Sequence, residues 1–206
     1  MNNSRTDLDC LEVNSNLFTS VEILREWLTS QGIDRKNWGI GNAKNAAHLW
    51  HELHGGDSCL QTDPPLRLVH VAQIVVRREQ MMLMEMVQEF GTGRQRFRNQ
   101  PPSEKMKQGE TFFEAATRCL YEELSVAASN IVFDESTYSE SETTCDSLSY
   151  PGLPTKYTFH RMEATIQGLP EDDFWRDNVS FLEGDPIKRH FWAWQRRDAH
   201  MPCPPS

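Results

Sequence analysis

No stretch of this chain is apolar for anything near the ~18 residues that a helix needs to cross a bilayer, so no membrane-spanning helix is expected. The opening stretch MNNSRTDLDCLEVN has no apolar core of the kind a secretory signal carries, and its acids and scarce arginine do not suit a transit peptide. Cysteine is thin: five among 206 residues, at 10, 59, 119, 145 and 203, with no C-x-x-C pair. An odd, scattered set argues against a disulfide framework and against a structural zinc site, and fits a reducing compartment. Positive charge is in the minority, 21 Lys and Arg against 30 Asp and Glu, for a formal net charge of −9. Such a chain repels nucleic acid phosphates, and it takes up a polyphosphate only where a divalent cation screens the charge. No Ser/His/Asp order and no glycine-rich phosphate cradle occurs. The expectation is a soluble, cytoplasmic protein with no membrane or nucleic acid partner.

What is present is enough for one domain with extensions. Residues 1–18 are polar and expected to be frayed. TSVEILREWLTSQG reads as a helix capped by Thr19 and Glu22, with Leu24, Trp27 and Leu28 on one face. NAKNAAHLWHELHGG reads as a second helix, capped by Asn42 and ended by Gly55–Gly56. His48, His51 and His54 lie on it three apart, with no acid or cysteine arranged to complete a metal site. GGDSCLQTDPP reads as a linker. LRLVHVAQIVVRR and MMLMEMVQEF then form a strand hairpin. A long basic loop follows, carrying Arg94, Arg96, Arg98, Lys105 and Lys107. DESTYSESETTCDSLSYPG reads as a mobile polar loop, TKYTFHRMEATI as a strand, LPEDDFWRD as an acidic turn or short helix, and IKRHFWAWQRR as a last strand. The expected divisions are 1–18, a helical extension over 19–65, a domain over 66–196 and a tail over 197–206. Strands around one central helix imply a mixed α/β domain.

That central helix is GETFFEAATRCLYEELSV, Gly109 to Val126. Thr111 with Glu114 makes a capping box. Phe113, Ala116, Thr117, Leu120 and Leu124 follow the helical period and are expected to be buried. Cys119, Glu122 and Glu123 share another patch, three and four residues apart. Two adjacent carboxylates repel each other, and a divalent cation relieves that repulsion.

The order of residues resembles the Nudix box of the Nudix hydrolases, G-x5-E-x7-R-E-U-x-E-E-x-G-U, where U is a bulky aliphatic residue. Glu110, Arg118, Leu120, Glu122, Glu123 and Val126 match it; Glu104, Cys119 and Ser125 do not. The resemblance covers roughly residues 66 to 196. It implies an α/β/α sandwich with a mixed sheet and a nucleoside-diphosphate-type small-molecule ligand. It also implies Mg2+ or Mn2+ held by Glu110, Glu122 and Glu123, with Glu122, Glu123 and Arg118 in catalytic roles. Arg96, Arg98 and Lys105 are then expected on the ligand's phosphates. Cys119 stands where the family has a carboxylate, and a thiol serves Mg2+ poorly. Two expectations stay open: a degenerate box that binds with weak or no hydrolysis, or an active phosphoanhydride hydrolase with a compensating carboxylate, Glu104 or Glu163.

Overall fold

The computed structural model describes residue 14, residues 16–41 and residues 43–196. The expectations for residues 1–13, for the Asn42 cap and for the tail lie outside these. Three helices are labelled α1 (Val21–Ser30), α2 (Ala46–Gly55) and α3 (Phe112–Leu124). Nine strands are β1 (Cys59–Thr62), β2 (Pro65–Arg78), β3 (Met81–Phe90), β4 (Gln95–Gln100), β5 (Ser103–Lys105), β6 (Ile131–Asp146), β7 (Pro154–Ile166), β8 (Phe174–Asp177) and β9 (Ile187–Arg196). The architecture is α/β with a mixed, open sheet. None of the described helices is long and apolar enough to cross a membrane.

The main sheet order is β6-β7-β2-β3-β9-β8, with β1 and β5 added to β2 and β4 added to β3. Among the described strands, only the β2–β7 pairing is parallel, from Arg67↔Thr155 to Val76↔Ala164. The β2–β3 hairpin pairs at just two rungs, Arg77↔Met82 and Arg78↔Met81. Beyond the turn the two strands diverge, β2 toward β7 and β3 toward β9. Helix α3 fills the splay. Ala115, Ala116, Cys119 and Leu120 pack with Ala72, Ile74 and Val76 of β2, Leu83 of β3, Met162 and Ala164 of β7, and Trp192 of β9. The alternation of Ala72, Ile74 and Val76 is the period-2 pattern of a strand with one face inward.

Several local expectations change. The α1 cap is Ser20, whose hydroxyl accepts from Ile23 N–H, one residue after Thr19. Asn45 caps α2, with His48 closing the box. The expected linker contains β1, because Cys59–Thr62 finds open hydrogen bonds along β2. The expected basic loop is largely β4 and β5, and the expected polar loop over 134–152 is mostly β6. A polar strand at the edge of a sheet needs ladder partners on one side only, and β7 supplies them. Phe174–Asp177 is a strand on β9, not a helical turn. Cys59 is disulfide-bonded, so the reading of an unbridged thiol set fails there, and with it the support for a reducing compartment.

Helices α1 and α2 build a second core of Phe18, Leu24, Leu28, Leu49, Leu53, Leu60, Tyr150 and Leu153. A buried ion network ties it to the sheet. Glu52 is 6% exposed. One of its oxygens lies 2.6 Å from Lys44 Nζ and 3.0 Å from Lys105 Nζ, and the other 2.6 Å from Arg67 Nη2. Burial alone would push the Glu52 carboxyl up; Lys105, Arg67 and Lys44 overcome this and hold it far below the ordinary carboxylate range. A depressed folded-state pKa stabilises the fold above the unfolded value and loses that contribution as pH falls. The stability of the native chain toward chemical denaturation should therefore fall steadily below the ordinary carboxylate value of 4.5. Glu52→Gln should lose about 3–5 kcal/mol at neutral pH, since it strands buried cations, and should flatten the acid limb of the profile.

Candidate metal and ligand site

Helix α3 begins where its own side chains close its end. Thr111 Oγ1 accepts from Glu114 N–H at 3.3 Å, and the Glu114 carboxylate accepts from Thr111 N–H at 2.8 Å. Its other end takes Ser125 in a left-handed conformation, φ 56°, at the place where the box has glycine. The buried face is Phe112, Ala115, Ala116, Cys119, Leu120 and Leu124. It is turned by one residue from the expected stripe: Phe113 is 40% exposed, and Cys119 is fully buried.

Arg118 fastens the incoming strand and loop to the helix. Its Nε donates to Glu110 Oε1 and its Nη2 to Glu110 Oε2, both at 3.0 Å. Nη2 also donates to the Lys105 carbonyl at 3.0 Å, and Nη1 stands 3.5 Å from Glu104 Oε1. Glu110 accepts in addition from Lys107 N–H at 2.8 Å. Both Glu110 oxygens are thus engaged, with Arg118 and the Lys107 N–H as their partners. Bidentate guanidinium–carboxylate pairing is among the stronger polar contacts in proteins and fixes orientation as well as distance.

A different trio gathers near the end of α3. Ligand-capable atoms of Glu85 on β3, Glu123 on α3 and His190 on β9 lie within 4.8 Å of one another. Glu85 and His190 are almost fully buried. His190 Nδ1 stands 2.6 Å from Glu85 Oε1, Arg98 Nε donates to Glu85 Oε2 at 3.1 Å, and His190 Nε2 is buried without a partner. Burial works against the Glu85 anion, but the His190 hydrogen bond and Arg98 hold its carboxyl low. Glu123 has the opposite balance: burial, then the neighbouring Glu85 and Glu104, push its carboxyl well above the ordinary range, and Arg98 offsets this only in part. Burial and the same carboxylates raise the Cys119 thiol as well. Cys119 is therefore a packed, protonated side chain among acids.

The other expected residues are placed as follows. Glu122 is half-buried beside Glu104, whose carboxyl is raised by burial and by Glu122. Arg96 donates to Gln88 Oε1 at 2.9 Å through Nε and stands over the Phe90 ring; Arg98 is on Glu85; Lys105 is on Glu52. The three cations expected on phosphates are thus drawn to partners within the protein. Glu163 pairs with Arg77 at 2.5 Å, and is held there rather than beside Cys119. Glu85 and His190 were missed because each sits inside a segment read only as a strand. The available signal was a lone acid in the apolar run MMLMEMV.

This is an α/β protein with a carboxylate-bearing helix clamped by one arginine. No family model matches the chain, and no curated protein matches it in sequence. Among solved structures, an Ap4A hydrolase of C. elegans overlaps 63% of this chain and 80% of its own, with 16% identity and a TM-score of 0.37. An ADP compounds hydrolase overlaps 61% of this chain and 57% of its own, with 17% identity and a TM-score of 0.31. The T. brucei MERS1–GDP complex overlaps 73% and 53%, with 16% identity and a TM-score of 0.31. Overlaps this loose transfer no property to the chain.

Arg118→Gln should cost about 2 kcal/mol in chemical denaturation, because it leaves Glu110 and Glu104 without their shared cation. Glu110→Gln should cost less, since the amide oxygen still accepts one bond. Equal stability of Arg118→Gln and the native chain would remove the clamp from the account.

Proposed function

We propose that this chain is a Nudix-like protein that binds a nucleoside-diphosphate-type small molecule through a divalent ion, with hydrolysis weak or absent. The observation that carries the reading is Cys119: a fully buried thiol stands where the box has a carboxylate. The retained parts of the box, Glu110, Arg118, Glu122 and Glu123, support a binding scaffold. The thiol does not replace the missing oxygen.

The donor set fits a divalent ion, though one of changed preference. Mg2+ favours an all-oxygen octahedron. Glu123, Glu85 and His190 offer carboxylate oxygens together with an imidazole nitrogen, which suits Mn2+ or Zn2+ better. Glu85 Oε1 accepts from His190 Nδ1 at 2.6 Å and so fixes the orientation of the ring. A bound ion supplies charge neutralisation to a diphosphate and acidifies a coordinated water. The protein's own part is to hold that ion against α3, keep Glu122 beside it, and exclude water on the Cys119 side. A second reading, slow hydrolysis, is favoured by Glu104, whose carboxyl neighbours Cys119 and Glu123 and would stand in for the lost oxygen.

Two outcomes are expected. Titration calorimetry should give tighter binding of Mn2+ and Zn2+ than of Mg2+. His190→Ala should abolish that preference, and an unchanged order of ions in the variant would contradict the nitrogen donor. With nucleoside diphosphate derivatives and Mn2+, native turnover should be slight, and Cys119→Glu should raise it by about a hundredfold or more. Folding of that variant is read in parallel by circular dichroism. Native turnover that Glu104→Gln abolishes would select the second reading. Fast turnover indifferent to Glu104, Glu122 and Glu123 would overturn both.

A further inference from the structure

Away from the metal trio, a cleft of about 380 Å3 opens at the N-terminal end of α3. That volume lies in the range of small-molecule sites. One wall is the turn after α2, Gly56 to Cys59; another is the segment Met106 to Thr111 that enters α3; the floor is β2 and β7 at Leu68, His70 and His160. The walls are tied together. Gln108 N–H donates to the Gly56 carbonyl at 3.0 Å, and Met106 N–H to the His70 carbonyl at 2.9 Å. Gly56 has φ 78°, and a Cβ there would stand 3.3 Å from Gln108 N, so the close approach requires glycine. The cleft is therefore preformed.

Two polar groups of its lining lack partners among the described residues. Ser58 is 7% exposed, and its hydroxyl makes no hydrogen bond; the Gln108 side-chain NH2 is likewise buried and unbonded. Buried polar groups are nearly always satisfied in native proteins, so two such groups around one cavity point to a ligand that supplies the missing partner. Both groups can donate. Tyr138 Oη lies 2.7 Å from His160 Nδ1, and His160 Nε2 lies 2.9 Å from His70 Nδ1. Tyr138 Oη donates to Glu140 Oε2 at 3.4 Å, and the two histidines form one connected polar side of the cleft. Lys107 brings a positive charge to the rim. Of the two carboxylates in the lining, Glu110 is neutralised by Arg118, and Asp57 disfavours a polyanion. Leu68 and Met106 offer apolar surface.

We propose that this cleft is a second ligand site, taking a small molecule with a compact apolar body and a single anionic oxygen group, phosphate or carboxylate. Ser58 and Gln108 donate to the anionic group, while Leu68 and Met106 pack the body. The site stands or falls independently of the metal trio.

The test is side-chain imidazole NMR on the full chain labelled at histidine, titrated with phenyl phosphate, benzoate and benzyl alcohol. Phenyl phosphate or benzoate should give saturating shifts at His70 and His160, and the tighter of the two identifies the anionic group. Benzyl alcohol should give none. Ser58→Ala should weaken binding about tenfold, and its fold should be undisturbed, since the hydroxyl it removes is unbonded. Leu68→Trp, which fills the cavity, should abolish binding; should it fail to fold, His70→Gln read through His160 serves in its place. Absence of saturable shifts at millimolar probe, equal response to benzyl alcohol, or undiminished binding in Ser58→Ala and His70→Gln would overturn the proposal.

Discussion

The arrangement around α3 depends on one guanidinium. Arg118 joins the helix, through its own backbone, to Glu110 before the helix, to the Lys105 carbonyl on β5 and to the Glu104 carboxylate. A planar fork of donors can satisfy such a set in one geometry, and a lysine cannot. The consequence reaches both ends of the helix. At the entry, the Lys107–Glu110 turn becomes a rigid wall, and the cleft with Ser58 and His70 lies against it. Further along, Glu122 lies beside Glu104, and Glu123 meets Glu85 and His190.

Acids concentrated at one place need compensation, and the molecule supplies it unevenly. Glu85 has Arg98 and His190, while Glu104 has Arg118. Glu123 has little, and it stays protonated more readily than a surface glutamate. A carboxylate at position 119 would have raised that repulsion further in the absence of an ion. A buried cysteine lowers it and packs as a small apolar group. Cysteine at this position thus makes the helix easier to bury among these acids. The opposite device operates at Glu52, where three cations surround one anion and bind the helical pair to the sheet.

Helix α3, its capping box and the strands β2, β3, β7 and β9 were legible in the sequence, because each carries a strong local pattern. The apolar period of β2 or the Thr111–Glu114 pair depends only on near neighbours. Strands β1, β4, β5, β6 and β8 were not legible. They are short or polar, and they become strands by adding to edges of a sheet that only the assembled chain provides. The same limit applied to the site. That Glu122, Glu123 and Arg118 share one helix could be read from local spacing. Glu85 and His190 are 105 residues apart and meet through the β3–β9 ladder. The Arg96, Arg98 and Lys105 charges were visible, but not the internal acceptors that turn them from the solvent: Gln88, Glu85 and Glu52.

The central claim is the proposal that a divalent ion is held at the site that includes Glu123 and His190. Anomalous diffraction from a crystal soaked in Mn2+ tests it most directly. The account predicts one peak within coordination distance of Glu123 and His190, with Cys119 outside the shell and Glu110 still on Arg118. A peak held by Glu110 and Glu122 with His190 uninvolved, or no peak at all, would contradict it.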